Sequence, residues 1–351
     1  MQAETGHGSE EWDALQQDWR NLTNRLQPRS PFMHWEWLSA WHRHFATNHP
    51  LTVLVCRQDN QCTGILPLVT HVRRGKKLQL RTLRLLGTGL SDQLGLMAQL
   101  ADTSTLARAL YDRRHQWDLL ELKDVEAGDP AIAEFCRALI NEGLQPTITP
   151  DCKRPCLTID EDWDSFYARV IGKKTRRRNR IQRRKLESIG RLSFETVTSA
   201  EAYLGHLPQI RKLHERHFNT GQKRQRPFDT TTGYRFFHDA GQALAAQSML
   251  ALHLLKLDDR IIAYDLGLRH NRRYLQYLGG YDSNYARYSP GRLLQVYLLR
   301  WCFETGFSEV DFGRGDHDWK RKWTSQTREN VTITVPGPTL MSRLRRTVLM
   351  R

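Results

Sequence analysis

The stretch Gly279-Gly280-Tyr281-Asp282-Ser283-Asn284-Tyr285-Ala286-Arg287-Tyr288-Ser289-Pro290-Gly291-Arg292, followed one short helix later by Asp311-Phe312-Gly313-Arg314-Gly315-Asp316, reads as a strand, an anion-holding loop and a helix. Ser289 suits the helix cap, and Pro290 suits the first helical position because its missing N–H would be unpaired there in any case. Gly291 lets a ligand come close to the backbone. Open N–H groups and the helix dipole then face one spot, flanked by the full charges of Arg287 and Arg292. That spot suits a phosphate or diphosphate.

Working outward, the same order of elements occurs twice. In the first half the strands are 51–57, 63–72 and 78–86, with a turn at Asp59-Asn60, then a helix near 103–113 and a strand at 118–122. In the second half they are 249–257, 261–269 and 274–280, with turns at Asp258-Asp259 and Asn271-Arg272, then a helix over 292–305 and a strand at 309–312. Alternation of apolar and polar residues bounded by Asp, Asn and Gly carries the strand assignments, and a 3.6-residue spacing carries the helices. Only the second copy has the Ser-Pro-Gly loop.

The flanks fill in the rest. An amphipathic helix is expected over 10–27 and a second after Pro31, a region holding half of the ten tryptophans, which are read as core. A Pro- and Cys-containing crossover is expected over 146–155, two helices over 200–218 and 230–246, and a strand over 331–335. The resulting domains are 1–152 and 153–338, with a basic tail over 339–351. At 351 residues and 39% apolar content the chain can fill two cores.

No run is long and apolar enough to span a bilayer, and the first residues carry no basic-then-apolar leader. The six cysteines form no C-x-x-C pair, and Cys152 and Cys156 lack a His partner, so neither disulfides nor a metal site is expected. A cytoplasmic protein is expected, in contact at most with the inner face of a membrane. The formal charge of +15 implies attraction to an anion without naming it.

The charge concentrates in a basic helix over 173–189, where nine of the thirteen residues from Lys173 to Lys185 are Lys or Arg. Ile171, Leu186 and Ile189 give it only a thin apolar stripe, so most of it faces solvent. It fits an RNA phosphate backbone, an acidic glycan or anionic lipid, and equally a solvated helix with no single ligand. No aromatic residues interleave it, which argues against single-stranded nucleic acid.

Gly280-Tyr281-Asp282, Arg287-Tyr288-Ser289-Pro290-Gly291, Asp311-Phe312-Gly313-Arg314-Gly315-Asp316 and Trp319-Lys320-Arg321-Lys322-Trp323 together resemble the GNAT-type acetyltransferases of the CelD/BcsL group, named for an association with cellulose biosynthesis. Pro31-Phe32-Met33-His34-Trp35-Glu36-Trp37, Gly64-Ile65-Leu66-Pro67-Leu68 and Leu86-Gly87-Thr88-Gly89-Leu90-Ser91-Asp92 fit the same pattern. The group is similar to FemAB-like transferases, which pair two GNAT folds. The resemblance implies an α+β chain of tandem GNAT-like folds, each a mixed, mostly antiparallel sheet flanked by helices. It also implies an acyl-CoA cofactor, acetyl-CoA first, with its diphosphate at Arg287, Tyr288, Ser289, Pro290, Gly291 and Arg292. The loop is poorer in glycine than the usual GNAT loop.

Acyl transfer from a thioester requires a bound donor, a base, a hydrogen-bond donor for the oxyanion and sometimes an acid for the thiolate. Asp282 is the first candidate for base or substrate anchor, with turn-closing as its competing role. Asp316 with His317, and Lys320, form a second polar cluster. Tyr281 and Tyr288 are both candidates to protonate the leaving sulfur. Asp92 and Trp323 are expected at the acceptor. The expected function is acyl-CoA-dependent N- or O-acyl transfer to a sugar, polysaccharide or cell-envelope precursor. The alternatives are a transferase that takes its donor from charged tRNA, and a non-catalytic protein that binds nucleic acid or a membrane surface.

Overall fold

The computed structural model describes residues 3–6, 9–47, 49–75, 78–218 and 227–349. Along the chain come β1 (Ala3–Gly6), α1 (Ser9–Ala14), α2 (Gln16–Leu26), α3 (Trp35–Phe45), β2 (Leu51–Gln58), β3 (Gln61–Arg74) and β4 (Gln79–Leu85). Then follow β5 (Met97–Ala98), α4 (Thr103–Asp112), β6 (Leu119–Glu126), α5 (Pro130–Asn141) and β7 (Thr147–Thr158). Next are α6 (Trp163–Val170), α7 (Lys173–Glu187), β8 (Leu192–Val197), α8 (Ala200–Phe218), α9 (Thr231–Ala246), β9 (Leu250–Leu257), β10 (Arg260–His270) and β11 (Arg273–Tyr281). The last are α10 (Pro290–Thr305), β12 (Glu309–Asp311), α11 (Asp318–Arg321), β13 (Thr327–Pro336) and α12 (Leu340–Leu349).

Contacts divide the chain into one unit of Met1–Cys152 with Glu329–Arg351 and another of Lys153–Arg328. In the first, β1, β2, β3 and β4 pair antiparallel in sequence order, β4 pairs β6 parallel, and β6 pairs β13 antiparallel. In the second, β8, β9, β10 and β11 are antiparallel neighbours, β11 pairs β12 parallel, and the end of β7 pairs β12 antiparallel. Each unit is thus a mixed, mostly antiparallel sheet flanked by helices. The parallel pair needs a crossover, which α4 supplies in one unit and α10 in the other.

Local chemistry explains the ends of these elements. Asp59 and Asn60 turn the β2–β3 hairpin, and Asn271 and Arg272 the β10–β11 hairpin, all with positive φ. Asp129 caps α5 by accepting from Ile132 N at 3.0 Å, Thr230 caps α9 through Gly233 N at 2.9 Å, and Gly306 ends α10 at φ 82°.

Three expectations need correction. Residues 146–155 are not a linker. They enter strand β7, where Cys156 and Leu157 pair with Asp311 and Val310, and Pro150 and Pro155 sit within the strand. The second domain does not reach residue 338, because Asn330–Pro336 pair with β6 and return to the first unit. The helix expected over 10–27 breaks at Leu15 into α1 and α2. The basic tail over 339–351 holds α12, with Met350 and Arg351 outside the described residues.

Trp12, Trp19, Trp35, Trp37 and Trp41 are all at most 5% exposed, and Trp12 stacks on Trp35 with centroids 4.6 Å apart. They are core.

Candidate active site

The β10–β11 hairpin and the start of α10 build the site. β11 pairs with β12 only over its first three residues, Arg273↔Glu309, Tyr274↔Val310 and Leu275↔Asp311, then runs on to Tyr281 without β12 beside it. The register of β10 against β11 shifts between Leu266 and Gly267, leaving Tyr277 as the extra residue of a bulge. A bulge turns the strand and re-aims its side chains, and here it places Gln276 on the same face as Asp265.

From β11 the chain passes through a short 3₁₀ turn, Ser283–Tyr288, into α10. Asp282 starts that turn. One of its oxygens accepts from Asn284 N at 3.0 Å, the other pairs with Arg260 Nη2 at 2.6 Å, and the residue is 4% exposed. Both oxygens therefore already hold the loop in place.

Ser289 does precede α10, but its side chain makes no capping bond. The residue is left-handed, at φ 55° and ψ 52°, and its carbonyl accepts from both Arg292 N and Leu293 N at 3.1 and 3.2 Å. Among the described residues, only the Gly291 amide of this first turn is left without an acceptor. Gly291 is also where the Tyr281 ring packs: a Cβ there would lie 3.3 Å from Tyr281 Cδ1, and the His217 ring packs at a tilt against the same ring, centroids 4.2 Å apart.

Arg292 is the anomaly of the site. Its Nε and Nη2 are shielded from water and have no hydrogen-bond partner. Burial first, and the nearby Arg178 of α7 second, hold its pKa below the usual value. Two desolvated nitrogens, with three N–H donors between them, beside a second guanidinium form an uncompensated cationic spot. On the same side, Asn179 of α7 donates to Tyr167 Oη at 3.0 Å and keeps its own Oδ1 unpaired. Arg287 is exposed, with its guanidinium 4.7 Å from the centre of the Tyr288 ring. Tyr288 itself is 8% exposed, in the core formed with Leu293 and Leu294.

The remaining expected residues fall elsewhere. Lys320 is 4% exposed, and its Nζ donates to Gly313 O at 2.9 Å and Arg314 O at 2.7 Å, clamping the loop after β12. Asp316 is held by Arg321 through two bonds of 2.6 and 2.7 Å, and that hydrogen-bonded charge keeps its carboxyl below the ordinary range. Trp323 is not an acceptor platform: at 5% exposed it stacks with Phe166 and Tyr167 in the core of the second unit. Asp92 belongs to the first unit, where its carbonyl accepts from Asn330 Nδ2 at 2.7 Å.

Sequence reasoning missed a buried polar network. Asp265 accepts from Tyr274 Oη at 2.7 Å and Gln276 Nε2 at 2.8 Å, and Gln276 exchanges two bonds with Gln295 of α10 at 2.9 and 3.1 Å. Burial pushes the Asp265 carboxyl up to about 6 against the pull of those donors and of Lys320. Gly267 and Gly279 make the room, since a Cβ on Gly267 would collide with Tyr274 Oη and one on Gly279 would crowd Asp265. The available signal was one Asp inside Ile261-Ile262-Ala263-Tyr264-Asp265-Leu266, a run otherwise without charge. Opposite Asp265 in register is His253, whose Nε2 is buried without a partner and whose pKa burial drives down to about 3, so it is neutral.

A strand that outruns its parallel neighbour beside the start of the crossover helix completes the description of the second unit. Residues 173–321, from α7 through α11, match the family model described as an acetyltransferase (GNAT) domain. FemX superposes with a TM-score of 0.64 at 12% identity, over 99% of this chain and 100% of that one. L-PGS from Bacillus licheniformis gives 0.52 at 13% identity, over 90% and 97%. A tandem GNAT protein from the clavulanic acid biosynthesis pathway gives 0.50 at 16% identity, over 96% and 100%. At such identities the likeness is one of fold, and the fold is tandem GNAT-like. No curated protein matches the sequence.

Proposed function

We propose that the chain is an acyltransferase of the CelD/BcsL kind, taking its acyl group from an acyl-CoA, acetyl-CoA first, and passing it directly to a hydroxyl or amine of a sugar, polysaccharide or cell-envelope precursor. The observation that carries this reading is Arg292: two water-shielded nitrogens with no acceptor, next to Arg178 and the open Gly291 amide. An anion there relieves an uncompensated charge that the protein alone leaves standing. The donor set fits a diphosphate. When bound, an acyl-CoA supplies the activated thioester carbonyl. Gly291 and Arg292 would hold its diphosphate, and the exposed Arg287 would add charge at the rim.

The other residues act by position. Asp282 pins the β11–α10 loop through Arg260 and Asn284 N, and Lys320 pins the loop after β12. Asp265, Tyr274, Gln276 and Gln295 brace β11 to α10 where β12 falls away. Of the two candidate tyrosines, Tyr281 is half-buried beside Gly291, whereas Tyr288 is core, so the proton for the departing thiolate is assigned to Tyr281. Orientation of two reactants supplies much of the rate in such a site.

Calorimetric titration with CoA tests the reading. The wild-type protein is expected to bind, and Arg292→Ala to bind on the order of tenfold more weakly. Failure of the wild type to bind CoA overturns it. A second reading, a donor delivered on tRNA, is favoured by the exposed cations of α7: Lys173, Lys174, Arg177, Arg178, Arg180, Arg184 and Lys185. It predicts no CoA binding, together with salt-sensitive binding of aminoacyl-tRNA.

A further inference from the structure

Helix α12 is packed inside out. Its polar side faces the first unit: Ser342 is fully buried and bonds Trp117 O at 3.2 Å and Asp118 Oδ1 at 3.1 Å. Arg345 donates to Asp118 Oδ1 at 3.0 Å, and Arg346 donates to Asp118 O at 3.0 Å and Gly337 O at 2.8 Å. Its apolar side faces solvent. Leu340 is 83% exposed, Met341 49%, Leu344 50% and Val348 53%. At a helical turn these four occupy an arc of about 100°, opposite Ser342. A helix held to its own protein by serine and arginine, with its leucines outward, is not explained by folding.

The surroundings of that face are cationic. Arg343, on its edge, has no acid partner among the described residues, nor do Arg73 and Arg74 at the end of β3. The β3–β4 hairpin lies beside the end of α12, because a Cβ on Gly75 would collide with the Leu349 side chain. Val72, on the same hairpin, is 38% exposed. A second copy of this chain would bring the same arginines face to face, a repulsive arrangement. An anionic bilayer complements both features at once: acyl chains for the leucines, headgroup phosphates for the arginines.

We infer that α12 and the end of β3, with Arg73 and Arg74, dock the first unit onto an anionic phospholipid surface, with Leu340, Met341, Leu344 and Val348 entering the headgroup boundary. The inference is independent of the acyltransferase reading.

Flotation of the full chain with vesicles tests it. Vesicles of phosphatidylcholine mixed with phosphatidylglycerol should carry the protein up, and phosphatidylcholine alone should carry much less. Leu344→Glu with Val348→Glu, both exposed and absent from the core, should weaken binding on the order of tenfold or more, and Arg343→Ala about fivefold. Circular dichroism melts of each variant should match the wild type. A parallel variant of α7, Arg177→Ala with Arg180→Ala and Arg184→Ala, should still float. If that variant loses binding while the α12 variant keeps it, α7 is the contact and the inference fails. It fails equally if the α12 face proves to be a dimer contact, seen as a dimer in sedimentation that Leu344→Glu dissociates.

Discussion

Helices α4 and α10 hold the same place in the strand order of their units, and they begin in opposite ways. At α10 the first turn carries Arg292, half-buried with two guanidinium nitrogens unmatched. At α4 the cap position is Asp102, 1% exposed, with neither carboxylate oxygen hydrogen-bonded. A helix start favours negative charge. The first unit supplies that charge from its own chain, so a phosphate there would meet a carboxylate; the second places a cation at its helix start instead. The strands differ in step with this. β4 ends one residue beyond its last pairing with β6, whereas β11 continues six residues beyond Leu275, from Gln276 to Tyr281, opening a gap. Duplicated architecture has yielded one helix start with an unmatched guanidinium, not two.

The sharpest way to break this comparison is substitution at the two helix starts. Gly291→Trp places a ring on the open amide and should lower CoA affinity on the order of a hundredfold, about 3 kcal/mol. Asp102→Asn should leave that affinity within about twofold. Calorimetry reads both, and equal losses would mean that the units share the task.

A second contrast concerns the central hairpins. β3 presents Ile65, Leu66, Leu68 and Val69, all buried, where β10 buries Asp265. Because its folded pKa is raised to about 6, the contribution of Asp265 to stability is complete below its unfolded value near 4 and is lost as pH rises through 6. Asp265→Asn should therefore gain on the wild type by on the order of 2 kcal/mol between about pH 4 and about pH 7.5. Urea denaturation across that range checks it, and a pH-independent difference would refute the assignment.

Smaller effects follow from uncompensated charge. Arg292→Met should raise stability in the absence of ligand by about 1 kcal/mol while weakening CoA binding, a trade-off that a purely structural arginine would not show. Asp102→Asn should raise stability by about 1 kcal/mol or less without touching binding. Thermal melts with and without CoA separate the two.

What the sequence made legible was what local chemistry controls. Asp59-Asn60 and Asn271-Arg272 needed positive φ and took it, and the apolar runs between them became the hairpins. Long-range pairing was hidden. Pro150 and Pro155 read as a linker, yet the end of their strand is held by β12, more than 150 residues on. Trp323 read as a binding aromatic because its neighbours Phe166 and Tyr167 are equally distant in sequence. Asp265 escaped because β10 is buried on both faces, so alternation could not show which face met α10. Ser289 was placed at the right position for the wrong reason: its backbone carbonyl, not its hydroxyl, ties the first turn.

The interrupted first unit has a consequence for synthesis. Residues 153–328 leave the ribosome as a complete, self-paired body, while β6 still waits for the strand at Thr327–Pro336 that will cover its free edge. The later half of this protein can therefore reach its native state before the earlier half, reversing the usual vectorial order. Until residues 327–336 emerge, β6 remains an unpaired edge open to foreign strands.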